Sequence, residues 1–201
     1  MIRRLLPAAA LLLPLGTLPL PAAAQQQSQS YKFLEAIRKG DGNAVIATLD
    51  QPGQTIINTR DVTTGEGALH IVVKRGDSAY LRYLLAKGAD PNLRDRDGET
   101  PMMLAVQAGQ PEMVQILANA KANANLADGG GETPLIRAVQ RRDLALVRAV
   151  LAAGGNPDQT DNLAGLSARA YAKRDPRSTA IAKVIDETPP KTQRAVAGPR
   201  M

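Results

Sequence analysis

Side chains capable of acid–base or metal chemistry are sparse in this sequence. The 201 residues include one histidine, His70, and no cysteine. Disulfides and thiolate metal sites are therefore excluded. A general base or a metal ligand also needs partners that converge on it, and Met103 and Ile136 stand where a repeat of His70 would fall, 33 and 66 residues later. We expect His70 to be structural, and we predict no enzymatic activity, no cofactor and no metal site.

Four aspartates recur along the chain at intervals of 34, 33 and 33 residues, and these are Asp61, Asp95, Asp128 and Asp161. They lie too far apart in the sequence repeat to share a cation whose ligands must be about 2.3–2.6 Å from it. An aspartate can instead order a turn by accepting hydrogen bonds from nearby backbone N–H groups. The run Gly129-Gly130-Gly131 lies in one such turn, and no Gly-Lys-Ser/Thr element follows it. We expect these residues to shape turns.

The aspartates belong to a longer repeated unit. A glycine follows each one in nearly the same register, and these glycines are Gly65, Gly98, Gly131 and Gly165. Thr100-Pro101 and Thr133-Pro134 then place a capping hydroxyl before a proline, whose fixed φ suits the first helical position. Each unit closes with a turn, as in the segments 88–92 and 154–158. Several features that share one period indicate a repeat protein.

Two short helices fit into each unit. Apolar positions at helical spacing predict the buried side of the first helix, and they are Leu69, Val72, Val73, Met102, Ala105, Val106, Leu135, Ala138 and Val139. The corresponding positions of the second helix are Tyr80, Leu81, Leu84, Leu85, Met113, Val114, Leu117, Ala118, Leu146, Val147, Val150 and Leu151. Gly76 and Gly109 are expected to end the first helix, and Gly88 and Gly154 the second.

The period, the Gly-Glu-Thr-Pro element and the Gly-Ala-Asp-Pro-Asn turn together resemble the ankyrin repeat. The resemblance implies an all-α solenoid of about five helix-turn-helix repeats with short hairpin-like tips. The approximate repeats are 31–60, 61–94, 95–127, 128–160 and 161–186. Phe33, Leu34, Ile37, Val45, Ile46 and Leu49 predict an N-terminal capping repeat, and the segment 166–185 predicts a C-terminal cap. Residues 25–30 and 187–201 are expected to be flexible tails.

The first 24 residues have the features of a secretory signal peptide. Arg3 and Arg4 precede an apolar stretch, and Ala22-Ala23-Ala24 resembles a cleavage site. Four prolines in the stretch argue against an uncleaved membrane anchor. We expect cleavage after Ala24 and a mature protein in the periplasm or outside the cell, with no further membrane span. Removal of two arginines reduces the formal charge from +6 to +4.

Basic residues recur where the first helices end, at Arg38-Lys39, Lys74-Arg75, Arg141-Arg142 and Lys173-Arg174, whereas Gln107-Ala108 interrupts the series. Cations there favour the negative end of the helix dipole, which accounts for the pattern without a partner. The alternative is a basic ridge on the concave face that attracts an acidic protein surface. We extend this ridge with Arg137. The turn tips would add polar contacts through Glu66, Arg96, Asp97, Glu99 and Glu132, and Gln107 is expected to contact the partner from the helix face.

These observations predict a non-enzymatic, monomeric scaffold that binds another protein through its turn tips and concave helix face. An alternative is a binder of an anionic surface or polymer through the basic ridge. Nucleic acid is not an expected partner, because the mature charge is modest and stacking aromatics are lacking, with Phe, Trp and Tyr at 2% of the chain. A further alternative is a toxin-neutralising or immunity-type protein.

Overall fold

The computed structural model describes residues 22–51 and 56–188. This part of the chain forms ten α-helices that pair in sequence order. They are α1 (Ala22–Lys39), α2 (Gly42–Leu49), α3 (Ala68–Arg75), α4 (Ser78–Ala86), α5 (Pro101–Gln107), α6 (Pro111–Asn119), α7 (Pro134–Gln140), α8 (Leu144–Ala152), α9 (Ala168–Arg174) and α10 (Thr179–Asp186). Two 3₁₀ helices, Ile56–Asn58 and Pro176–Ser178, complete the regular structure of these residues, and the described residues contain no strand. The all-α prediction is confirmed.

The predicted threonine caps explain why α5 and α7 begin where they do. The hydroxyl of Thr100 accepts a hydrogen bond from the N–H of Met103 at 3.3 Å, and Thr133 caps α7 in the same way. Proline follows each threonine at the first helical position, where it has no hydrogen bond to lose. Aspartates cap several even-numbered helices instead, as Asp77 does for α4 and Asp143 for α8. In the fourth repeat, both helices therefore start at a capping side chain.

The helices stack into two layers. Successive odd-numbered helices contact one another from α1 to α9, and the even-numbered helices from α4 to α10 do the same. All of the apolar positions predicted for the first helices are buried, as are most of those predicted for the second. Tyr80, Leu85, Ala118 and Leu151 are partly buried. Burying one such aliphatic side chain contributes about 1.5–3 kcal/mol, and each pair obtains that cover from its neighbours.

The N-terminal pair of helices, α1 and α2, is less completely covered by neighbouring helices, as expected of a capping repeat. Val45 of α2 is fully buried, but the adjacent Ile46 is 42% exposed. Helix α2 has a neighbour on one side only, so part of its apolar surface remains in contact with solvent. The predicted core residues Phe33, Leu34 and Ile37 of α1 are all buried.

Helix ends use the left-handed conformation, but glycine does not always supply it. Gly76 and Gly109 end α3 and α5 with φ of +73° and +71°. At the same point after α7 the chain has Arg142 with φ of +58°. Lys121, with φ of +66°, similarly takes the place after α6 that Gly88 and Gly154 hold after α4 and α8. A non-glycine residue in this conformation costs roughly 1–2 kcal/mol.

The N-terminal segment differs from expectation. Residues 25–30 were expected to be flexible, but α1 begins at Ala22 and includes them. Ala22 to Ser30 contains alanine, glutamine and serine without glycine or proline, which allows the helix to extend beyond its buried part. Residues 1–21 of the predicted signal peptide (1–24) and residues 189–201 of the predicted tail (187–201) lie outside the described residues. Glu187 and Thr188 follow α10 as a turn and a bend.

Candidate protein-binding face

The four recurring aspartates organise the turn tips, as predicted. Oδ1 of Asp95 accepts hydrogen bonds from the N–H groups of Asp97 (3.0 Å) and Glu99 (2.8 Å). Asp61, Asp128 and Asp161 each bond two backbone N–H groups of their own turn in the same manner. Among the described residues, no group of three or more potential ligands could hold a metal ion. The carboxylates are thus turn-forming groups.

Backbone hydrogen bonds join neighbouring tips into a row. The N–H of Arg96 donates to the carbonyl of Thr64 at 3.1 Å, and the N–H of Gly129 donates to that of Asp97 at 2.9 Å. The N–H of Asn162 donates to the carbonyl of Gly130 at 3.0 Å. Four successive tips are connected in this way. The tips are therefore joined by hydrogen bonds and are not independent loops.

His70 ties two repeats together. Its ring is fully buried; Nδ1 accepts a hydrogen bond from the N–H of Gly67, and Nε2 lies 3.1 Å from the carbonyl oxygen of Glu99 in the next repeat. This pattern requires the neutral tautomer with its proton on Nε2. Burial lowers the pKa of His70, although the bond to Glu99 opposes the change. The geometry agrees with the structural role expected for this residue.

The tips and the exposed side of the odd-numbered helices form one surface, which we call the inner face. Two depressions on it meet at Lys74 and Glu99. The larger, about 340 Å³, lies between the tips of the second and third repeats and includes Glu66, Arg96 and Asp97 in its lining. The other, about 290 Å³, is lined by Lys74, Glu99, Leu104, Gln107 and Ala108. Six of the predicted contact residues are therefore brought together.

Sequence reasoning missed the apolar floor of the smaller depression. Leu104 and Ala108 are four residues apart on α5 and its cap, next to Gln107 on the same side. Their helical spacing was the available signal, because residues separated by four lie on one helix face. The floor gives this part of the inner face an apolar patch beside charged groups.

Arg137 does not extend the basic ridge as expected. Its guanidinium bonds Glu132, Asp128 and Glu99, with Nη2 2.8 Å from Glu132 and 3.0 Å from Asp128. Only 14% of its side chain is exposed. Burial alone lowers the pKa of Arg137, but the bonds to Glu99 and Glu132 outweigh it and raise that pKa. With three carboxylates around one guanidinium, this region of the inner face is acidic.

The ridge cations of the first two repeats are paired within the protein. Arg38 lies 2.6 Å from Asp61, and Lys39 lies 3.2 Å from Glu35. Two further pairs join Lys74 to Glu66 and Arg75 to Asp77. The hydrogen bond that Lys74 donates to Glu66 is the largest cause of the raised pKa of Lys74. Little uncompensated positive charge remains in this half of the predicted ridge.

The fourth and fifth repeats differ. Arg141 and Arg174 are exposed and form no ion pair with any described residue. Arg142 lies 2.6 Å from Asp175, and its hydrogen bond holds the pKa of Asp175 well below its ordinary value. Of the 25 Lys and Arg residues, five lie outside the described segments, so 25 − 5 = 20 cations face 19 carboxylates in the described part. The exposed positive charge is thus local and does not reflect a basic domain.

The helices pair and stack in two layers, and hydrogen bonds join the tips into a row beside a polar face. This arrangement defines a helical-repeat solenoid. The pattern of the family described as "Ankyrin repeats (3 copies)" matches residues 33–128 and, in a second overlapping match, residues 69–161. The chain belongs to the ankyrin-repeat family. Proteins with these repeats bind other proteins, and the family is generally non-enzymatic. Among the described residues, no helix combines the length and the apolar character needed to cross a bilayer.

Three curated relatives share only their repeat segments with this chain. An ankyrin repeat protein of Acanthamoeba polyphaga mimivirus is 49% identical over 47 residues, which is 23% of this chain and 6% of that protein. Oxysterol-binding protein homolog 1 of Saccharomyces cerevisiae is 39% identical over 75 residues, 37% of this chain and 6% of that protein. Zygote-specific protein 3 of Chlamydomonas reinhardtii is 39% identical over 66 residues, 33% of this chain and 17% of that protein. The chain spans less than a fifth of each.

Proposed function

We propose that this protein is an exported, monomeric scaffold that holds another protein on its inner face. One observation carries the proposal: the linked tips hold two adjoining depressions, of about 340 and 290 Å³, beside polar side chains on a rigid edge. A preorganised surface of this kind loses little conformational entropy on binding. The side chain of Asp97 makes no hydrogen bond to the described residues, so a partner meets it without displacing an internal contact.

Export is supported by the composition of the N-terminus and is compatible with the fold. Cleavage after Ala24 would remove three residues from the start of α1. The core positions of that helix, Phe33, Leu34 and Ile37, all follow the cleavage point. The mature chain would therefore retain the apolar contacts of its N-terminal cap. The mature protein would then reside in the periplasm or outside the cell.

Site-specific photocrosslinking in cells tests the binding proposal. A photoreactive residue at Gln107 or Asp97 reports on the inner face, and the same residue at Gln115, which is exposed on α6, reports on the opposite layer. We expect a discrete crosslinked partner from the first two positions and none from Gln115. Equal yields from all three positions would contradict a binding function of the inner face.

Cell fractionation and N-terminal sequencing test the export proposal separately. We expect a mature chain that begins at Gln25 outside the cytoplasm. Light scattering on that chain should give the mass of a single copy. A cytoplasmic protein that retains Met1 would refute export without affecting the binding proposal, because the buried residues Phe33, Leu34 and Ile37 of α1 all follow the cleavage point.

A further inference from the structure

Equivalent helix-end positions in the five repeats carry Lys39, Arg75, Ala108, Arg141 and Arg174. Lys39 and Arg75 are engaged by Glu35 and Asp77, and Arg75 also donates a hydrogen bond to the carbonyl of Ile37. Arg141 and Arg174 have no such carboxylate among the described residues, and both are exposed. The helix dipole favours a cation at every one of these ends. The helix dipole therefore does not explain why Lys39 and Arg75 have internal carboxylate partners while Arg141 and Arg174 have none among the described residues.

The surroundings of Arg141 and Arg174 contain more cations than carboxylates to neutralise them. We call the set Arg141, Arg142, Lys173, Arg174 and Arg177 the cationic surface. Asp175 is shared by Arg142 and Arg177, and Asp186 is shared by Lys173 and Arg169. The nearby Asp143 uses its Oδ1 to accept the N–H groups of Ala145 and Leu146 at the start of α8. These charges face solvent on the side where α7 and α9 end.

The backbone conformation of Arg142 is a second observation, independent of the charges. It holds a left-handed conformation at a point where the first three repeats use Gly40, Gly76 and Gly109. Glycine would make the same turn without strain. Strained residues persist where the surrounding structure holds them, and they cluster at functional sites. Here the side chain contributes a guanidinium, 44% exposed, to the cationic surface.

We propose that the cationic surface binds an acidic segment of the partner protein, so that the fourth and fifth repeats hold the partner's carboxylates. This inference rests on the proposed scaffold function and specifies the partner chemistry. Neighbouring repeats are about 8–10 Å apart, so the cationic surface extends over two repeats. Arginines spread over two repeats suit carboxylates distributed along a protein segment, to which they offer paired N–H donors.

Direct binding of an acidic peptide tests the proposal. The probe is a fluorescent peptide of alternating Glu and Ser residues, about a dozen long, titrated with the mature protein at about 50 mM salt. We expect saturable binding that weakens roughly tenfold in the double variant Arg141→Gln/Arg174→Gln. The matched control, Arg82→Gln/Lys87→Gln, removes the same charge from positions that are paired with Glu112 and Asp50 away from the inner face, and it should change affinity by less than about twofold.

Three outcomes would overturn the proposal. Equal weakening by both double variants would attribute binding to net charge, and no weakening by either would exclude the cationic surface. Retention on heparin or on phosphatidylglycerol vesicles, lost in Arg141→Gln/Arg174→Gln while the peptide fails to bind, would assign the surface to an anionic polymer or lipid instead. Circular dichroism of each variant should match the parent, because these side chains lie outside the core.

Arg142→Gly provides a readout that a purely structural role would not give. The substitution removes backbone strain and should leave the melting temperature unchanged or higher, yet weaken the acidic peptide about threefold. A lower melting temperature with unchanged binding would contradict the role given to Arg142. If photocrosslinking at Gln107 captures a partner equally well with Arg141→Gln/Arg174→Gln, the cationic surface fails while the scaffold function stands.

Discussion

Replacing His70 by methionine tests whether this residue stabilises the array through a neutral, buried ring. Methionine is the residue that the next repeat carries at the equivalent position, where Met103 is fully buried. The substitution therefore keeps an apolar side chain of suitable size in place. What it removes is the pair of hydrogen bonds that connects the N–H of Gly67 and the carbonyl of Glu99 through the ring.

The expected cost follows from those two bonds. In each bond, the ring nitrogen lies 3.1 Å from the backbone atom. In His70→Met, each backbone group would be left without its partner. A buried group that loses its partner costs about 1–3 kcal/mol. Partial access of water to Glu99 reduces the second contribution. We therefore expect His70→Met to lower the free energy of unfolding by about 2–4 kcal/mol at neutral pH.

The effect should depend on pH in a defined direction. Burial lowers the pKa of His70 in the folded state below the ordinary value of 6.5. The unfolded chain then binds a proton more readily, so this contribution to stability is complete above pH 6.5 and is lost as the pH falls towards the folded pKa. One proton changes the free energy of unfolding by at most about 1.4 kcal/mol per pH unit. His70→Met should lack this contribution.

Urea unfolding followed by circular dichroism at several pH values between about 7.5 and 5 provides the measurement. The difference in unfolding free energy between the parent and His70→Met should shrink as the pH falls, since carboxylates common to both proteins cancel. A difference that is constant over this range would refute a depressed pKa. A difference that grows at lower pH would show that the folded state prefers the charged ring.

Three further substitutions test the turns, the helix caps and the three carboxylates around Arg137. In thermal unfolding, Gly131→Ala should destabilise the protein at least twice as much as Gly88→Ala. Both glycines have positive φ, but a Cβ at Gly131 would lie 2.7 Å from the backbone nitrogen of Asn162, whereas a Cβ at Gly88 would meet open space. Thr133→Ala should cost about 1 kcal/mol in urea unfolding and Thr133→Ser much less, because serine keeps the oxygen that accepts the N–H of Ile136. Arg137→Met should cost about 2–4 kcal/mol, and Glu99→Gln should cost less in that background than in the parent, which a double-mutant cycle would measure.

Most of the fold could be predicted because its signals are local and recur. Thr100 and Thr133 cap their helices through groups three residues away, and Asp95 bonds N–H groups two and four residues ahead. Such contacts depend on short stretches of sequence and were readable from the period. Arg142 and Lys121 show the limit of the approach, because both turns keep a left-handed residue although glycine is missing.

The candidate site was harder to predict because its charges are neutralised across repeats. Arg38 pairs with Asp61, 23 residues away, and Arg137 bonds Glu99, 38 residues away. Side chains so distant in sequence meet only after the repeats have stacked. A row of basic residues in the sequence therefore predicted a ridge, whereas the structure separates paired cations from exposed ones.

The third repeat determines how the inner face is divided. It contributes Asp95, Asp97, Glu99 and Glu112 against Arg96 and Lys121, which makes it two charges negative, and Gln107 replaces the cation of its helix end. Glu99 joins Glu132 and Asp128 around Arg137, while the exposed arginines follow in the next two repeats. Opposite charges at successive positions along the array would accept a partner in one orientation and disfavour its reversal, because reversal places like charges together.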